Sequence, residues 1–176
     1  MKKIKFYFFF IIFILLSNYS YSQNIAYANM DKIIKTSEVG KKIIKHFSEK
    51  SQNLIDEIKK KEADIKNKEN NLISQKSILQ PDEYTKKVEL IKKEIADFNK
   101  INNNKIKKIN SEKENVLKLF LIEINKIIKD FVEKNNIDIV ISSNSLIIGK
   151  SDLDVTDKIL NEVNNKIRKF NIKKDG

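Results

Sequence analysis

The chain has 176 residues, with 35 lysines and arginines against 24 aspartates and glutamates and a formal net charge of +11. Three glycines and one proline leave too few turn-formers for a fold of many short elements, and 34% charged residues beside abundant Ile and Leu point to long helices. With no cysteine, and with His46 the sole histidine, disulfides, thiolate catalysis and the usual zinc ligand sets are excluded.

The first 22 residues stand apart. MKKIK is a basic start, Phe6 to Leu16 is an apolar run, and Ser20 and Ser22 are small residues placed for cleavage before Gln23. The apolar run falls well short of the roughly 20 residues that span a bilayer. Residues 1–22 are therefore expected to be a cleaved secretory signal peptide, and the mature protein to act in the periplasm. Cleavage removes Lys2, Lys3 and Lys5 and leaves a chain that is still basic. A basic chain invites a nucleic-acid partner, but an exported protein whose only arginine is Arg168 does not suit one. Anionic lipid headgroups, lipopolysaccharide phosphates and acidic unfolded chains are the better-matched partners.

NIAYANM, residues 24–30, alternates: Ile25 and Tyr27 point one way and Ala26 and Ala28 the other, as in a strand. MDKIIK adds a short helical turn, so residues 23–36 read as the first part of a base. Thr36 or Ser37 can cap the next helix, with Glu38 near the positive end of its dipole. A seven-residue rhythm then runs to Leu79. Ile44, Ser51, Ile58, Ile65, Leu72 and Leu79 hold one seam position, and Gly40, Phe47, Leu54, Lys61, Lys68 and Gln75 hold its companion. The companion position turns polar beyond Leu54, so this helix is expected to pack weakly and move more toward its far end.

SILQPDEY, residues 77–84, holds the only proline. Pro81 suits the first turn of a helix, where its missing N–H would be idle, and Asp82 and Glu83 follow at the positive end of the dipole. The chain is therefore expected to reverse here, making residues 37–133 an antiparallel helical-hairpin arm. A kinked continuous rod is the alternative. Ser37 to Leu79 would span about 65 Å and Pro81 to Glu133 about 80 Å. Tyr84, Val88, Ile91, Ile95 and Phe98 resume the seam, Asn102 and Lys105 interrupt it, and Ile109 and Val116 continue it. Phe120, Ile124, Ile127 and Phe131 follow with a stutter, inside a stretch apolar over a wide face that implies more than one neighbour.

Residues 134–176 complete the base. Ile137, Ile139 and Ile141 alternate with polar or smaller residues, SSNS offers turn chemistry and LIIG is a second apolar run, which together read as a β-hairpin. Thr156 is expected to cap a last helix with Ile159, Leu160, Val163 and Ile167 on one face, followed by a basic tail. The fold class is α+β and mostly α: a long arm inserted in a small β base. Three short strands bury little in one copy, so the base is expected to oligomerise through Ile25, Tyr27, Ile137, Ile139 and Ile141. Tyr84, Phe98 and Ile101, in the sparse distal arm, are candidates for facing a cavity rather than the arm's own core.

The two end blocks, IAYANMDKIIKTSEVGKK and IDIVISSNSLIIGKSDLDVTDKIL, flanking a long charged hairpin, resemble the Skp/OmpH family of periplasmic chaperones over essentially the whole mature chain. The resemblance implies a homotrimer whose strands form a shared barrel, with three helical arms around a cavity that holds unfolded outer-membrane proteins without ATP. Family members are basic, and some contact lipopolysaccharide or anionic phospholipid. With arginine nearly absent, no arginine-based lipid site is carried over.

No enzyme chemistry emerges. His46 beside Phe47 reads as a helix-edge residue, and the neighbouring acids Asp56–Glu57 and Asp82–Glu83 do not face each other on a helix. VGKK, with one glycine, cannot cradle a phosphate. No cofactor or metal is expected. The lysine clusters KKKE at 59–62 and KINNNKIKK at 100–108 read either as solvated helix faces or as a weakly electropositive surface that steers acidic chains. Two other readings compete with a holdase: a structural coiled-coil spacer of the envelope, and a polyanion binder whose affinity would collapse with salt.

Overall fold

The computed structural model describes residues 23–172; the expected leader and the last four residues lie outside them. Strand β1 (Ile25–Ala28) leads into helix α1 (Met30–Thr36) and then α2 (Glu38–Ser74). Helix α3 (Pro81–Lys134) returns to the base, where strand β2 (Ile139–Ser142) and helix α4 (Thr156–Lys166) finish the fold.

Local chemistry sets the boundaries. The Asn29 side chain accepts from the Lys32 N–H at 2.8 Å and caps α1. Ser37, fully buried, accepts from the Gly40 N–H at 3.2 Å and caps α2. Between them α1 and α2 touch so closely that a Cβ on Gly40 would lie 1.6 Å from the Ile34 carbonyl oxygen. At the far end Gln75 accepts backbone bonds from Ile78 and Leu79, both at 3.0 Å. Pro81 then opens α3, with Asp82 and Glu83 in its first turn. The chain does reverse at the proline, and α2 and α3 form an antiparallel hairpin. With 37 and 54 residues, they are about 55 and 80 Å long.

One continuous core occupies the base and the near half of the arm. Ile33, Ile43, Phe120, Ile124 and Ile159 are wholly inaccessible to solvent at its centre. The wide face of α3 meets α2 on one side and α4 on the other, as its width implied. This core ends at Leu54 and Ile109. Farther out, Ile65 and Leu72 are buried but isolated from it.

The seam departs from a strict heptad near the base. Ile44 was expected in the core but is 41% exposed, while Ile43 is fully buried. Here α2 packs against α1 as well as α3, and the face that serves both carries Val39, Ile43 and Phe47 at four-residue intervals.

The C-terminal block corrects two further expectations. There is no β-hairpin among the described residues: β2 pairs with β1 in parallel, in the register Ile25 to Ile139, Ala26 to Val140, Tyr27 to Ile141 and Ala28 to Ser142. Ser143–Ser145 forms a 3-10 turn that carries the chain off the sheet, so LIIG finds no strand to join. Nor does Thr156 cap α4; Val155 holds that position. The Thr156 hydroxyl instead accepts from the Asn29 N–H at 2.8 Å and donates to Asp154, tying α4 to the end of β1. Asn24 completes the closure. Its N–H donates to Asp138 Oδ2 at 2.7 Å and its side chain donates to the Asn136 carbonyl at 2.9 Å. Asn136, at φ 50°, takes the left-handed conformation that ends α3.

Three substitutions test this packing by urea unfolding. Ile124→Ala is expected to cost about 2–5 kcal/mol, against less than about 0.5 kcal/mol for Leu90→Ala on the exposed arm surface. Gly40→Ala, which raises intrinsic helix propensity by about 1 kcal/mol, is expected to destabilise because of the Ile34 carbonyl. An unchanged or higher midpoint would show that the α1–α2 approach relaxes freely.

Candidate functional site

The small sheet has two unequal faces. Alternation along β1 turns Ala26 and Ala28 inward, 5% and 1% exposed, and Val140 packs beside them on the core. The parallel register places Ile25, Tyr27, Ile139 and Ile141 together on the opposite face. Ile25 and Ile139 are 40% and 46% exposed there. The structure thus groups four of the five residues expected at an oligomeric base. Ile137 is not among them; it precedes the strand and packs against the core.

The loop after β2 enlarges this patch. Gly149 lies against the Tyr27 ring, where an added Cβ would come within 2.7 Å of Cε1. Ile147 and Ile148, just before it, are fully exposed. Neither was singled out as a site residue from the sequence, although an apolar triplet in a polar loop was the available signal. The outer edge of β2 also carries no strand among the described residues.

The arm is held differently along its length. Beyond the continuous core, lysines stand at the companion seam positions, and charges join the helices. Lys61 meets Glu94 at 2.6 Å, Lys68 meets the same carboxylate at 2.9 Å, and Asp64 lies 3.2 and 3.3 Å from the two lysines. Glu57 pairs with Lys105 at 2.9 Å, and on the base side of Leu54 and Ile109 Lys50 pairs with Glu112. The hydrogen bonds from Lys61 and then Lys68 hold Glu94 below its ordinary value of 4.5, and the same donors lower Asp64 from 3.8. Hydrogen bonding to Glu94 first, and to Asp64 second, raises both lysines above 10.5. Asn102, expected as a gap in the seam, is buried there, 9% exposed.

The three candidate client-facing residues do not converge. Tyr84 is half-buried near the arm's end and lines a groove of about 380 Å³ with Leu72, Ile73, Val88 and Ile91. Phe98 is half-buried at mid-arm, and Ile101 is 54% exposed. Tyr84 and Ile101 are separated by about 25 Å of helix. More exposed than any of them are Ile73, Ile78 and Leu90, at 63%, 79% and 67%, which seam-reading passed over because they lie off the seam. His46 stacks edge-on against Phe47, with centroids 5.1 Å apart. Among the described residues no cluster of histidine and carboxylate ligands could hold a metal, and no helix is long and apolar enough to cross a membrane.

The charge cluster defines a pH window for the distal arm. Lowered carboxylates contribute stability that is complete above their ordinary values and lost as pH falls through the lowered ones. Raised lysines contribute stability that is complete below 10.5 and lost as pH rises through their raised values. Amide exchange in residues 61–98 is therefore expected to accelerate, relative to the base, below about pH 4 and above about pH 10.5. Glu94→Gln should raise distal exchange at neutral pH and flatten its dependence on salt. A distal arm indifferent to pH, salt and Glu94 would show that these pairs hold nothing.

Comparison with known proteins places this geometry. No curated protein matches the chain by sequence. A crystal structure of a Caulobacter crescentus CB15 protein, assigned as an OmpH-like outer membrane chaperone, superposes with a TM-score of 0.78 at 13% identity, covering 85% of this chain and 89% of that one. At that identity the match speaks for the fold. The family model for OmpH-like outer membrane proteins matches residues 24–163, from the start of β1 to the buried face of α4. The chain belongs to the OmpH-like family.

Proposed function

We propose that this OmpH-like chain is an ATP-independent holdase chaperone of the periplasm, exported by a cleaved leader. On this reading it works as a homotrimer whose arms surround unfolded outer-membrane proteins. The observation that carries the proposal is an outward apolar sheet face joined to an arm that is firmly packed only near its root. Two short strands are marginal alone, and an apolar face with an open strand edge is a surface that invites covering. Further copies of the chain can cover it through Ile25, Tyr27, Ile139 and Ile141, with Ile147 and Ile148 reaching across as an added strand.

The arm supports the client-binding half of the reading. Ile73, Ile78, Leu90 and Ile101 stand exposed among lysines, so an unfolded chain would meet many weak apolar contacts in an electropositive setting. Tyr84 and Phe98 would join them where the distal hairpin loosens. Weak contacts keep a client soluble without fixing its shape. Release needs no nucleotide if the client's final fold is more stable than the complex. The same basic surface suits anionic lipid or lipopolysaccharide near a membrane, and no enzymatic step is required.

Light scattering on residues 23–176 tests the reading, first alone and then after dilution of a urea-unfolded outer-membrane β-barrel protein into it. The expected result is a trimer that keeps the client soluble as one defined complex. Ile139→Asp should reduce the mass to that of a single chain and let the client aggregate. A trimer that leaves the client to aggregate would favour a structural coiled coil, and a monomeric wild-type chain would overturn the assembly.

A further inference from the structure

The C-terminal segment beyond α4 packs back onto the core where the arm meets the base. Helix α4 ends with Lys166 paired to Asp130 on α3 at 3.2 Å, a contact that raises the lysine's pKa. Four residues later the Phe170 ring meets Phe120 edge-on, with centroids 5.4 Å apart and planes at 66°. Asp130 and Phe120 lie about 15 Å apart along α3, so the tail, bending at Arg168, passes along α3 away from the base and toward the arm.

It also lies beside both helices of the hairpin. Residues 168–172 line a groove with Val39 and Lys42 in the first turns of α2. Ile167, Phe170 and Ile172 pack on the continuous core, and Phe120 beneath them is wholly buried. The tail thus crosses the place where the arm leaves the base. It also lies beyond Val163, where the family match ends.

We propose that residues 167–172 are a strap that clamps the root of the arm to the base and limits how far the arm swings. Its anchor is Phe170 on Phe120, and the Lys166–Asp130 pair sets its starting point. The strap restrains the arm of its own chain, so it does not depend on the holdase reading.

The absence of native cysteine allows spin labels at Ser77→Cys in the arm's turn and Asn161→Cys on α4, in labelled chains diluted with an excess of unlabelled copies. Pulsed dipolar spectroscopy then reads the distance from arm turn to base within one chain. Truncation after Lys166 and, in the full chain, Phe170→Ala are each expected to broaden that distribution. Both should also speed amide exchange around Phe120 by about three- to tenfold, the scale of one aromatic pair. Phe170→Tyr, which keeps the ring, should leave both readouts at wild-type values. Faster exchange with unchanged distances would overturn the strap and leave Phe170 as an ordinary packing residue, as would no change in either. If the truncated chain does not fold, the Phe170→Ala result decides alone.

Discussion

The interaction on which the rest of the molecule depends is the contact of α3 with its neighbours around Phe120 and Ile124. There the wide apolar face of one helix closes against α2 and α4, and Ile33 of α1, packed on those two helices, joins the same core. Burying a large aliphatic or aromatic side chain contributes about 1.5–3 kcal/mol, and this cluster concentrates several in a small volume. It fixes the direction in which the hairpin leaves the base and supplies a floor on which a two-stranded sheet can lie. Without that floor, β1 and β2 would have nothing to pack on, and their outward apolar face would have no fixed shape.

Away from that cluster the mode of cohesion changes. Near the base, apolar side chains hold the helices together; past Leu54 and Ile109 much of the task falls to lysines and carboxylates. Exposed ion pairs contribute little individually, though a shared carboxylate between two lysines makes a small network. The arm is therefore graded from a rigid root to a compliant end. The tail lies across the root, where packing is densest.

Much of this was legible in the residues. Pro81 with its following acids marked the reversal, Ser37 was one of two residues offered as the cap, and the wide apolar stripe around Phe120 to Phe131 marked the multi-sided packing. Those signals are local, and local geometry decides them. What failed was non-local. The alternation of Ile139 and Ile141 is the same whether the strand finds its partner next door or across the whole arm, so a hairpin and a parallel pair could not be told apart. Ile43 displaced Ile44 because a third helix enters near the base, and a two-helix rhythm does not register that neighbour. The outward face of Ile25, Tyr27, Ile139 and Ile141 was legible because strand alternation is simple; Ile137 broke from it because it precedes the strand. The charges between α2 and α3 were visible as composition, but their pairing needs the helix-to-helix register.

The parallel pairing of β1 with β2 also imposes an order in time. The arm's contacts join segments near one another around residues 75–80, so the hairpin can zip from its turn with little loop-closure cost. The sheet cannot exist until Ile139–Ser142 has arrived, and Thr156 cannot reach Asn29 until later still. In a chain threaded N-terminus first, β1 waits unpaired while the arm assembles, and the apolar face appears only when the last quarter of the sequence is present. The outward apolar face is thus withheld from an incomplete chain, and the parallel topology serves as a check on completeness.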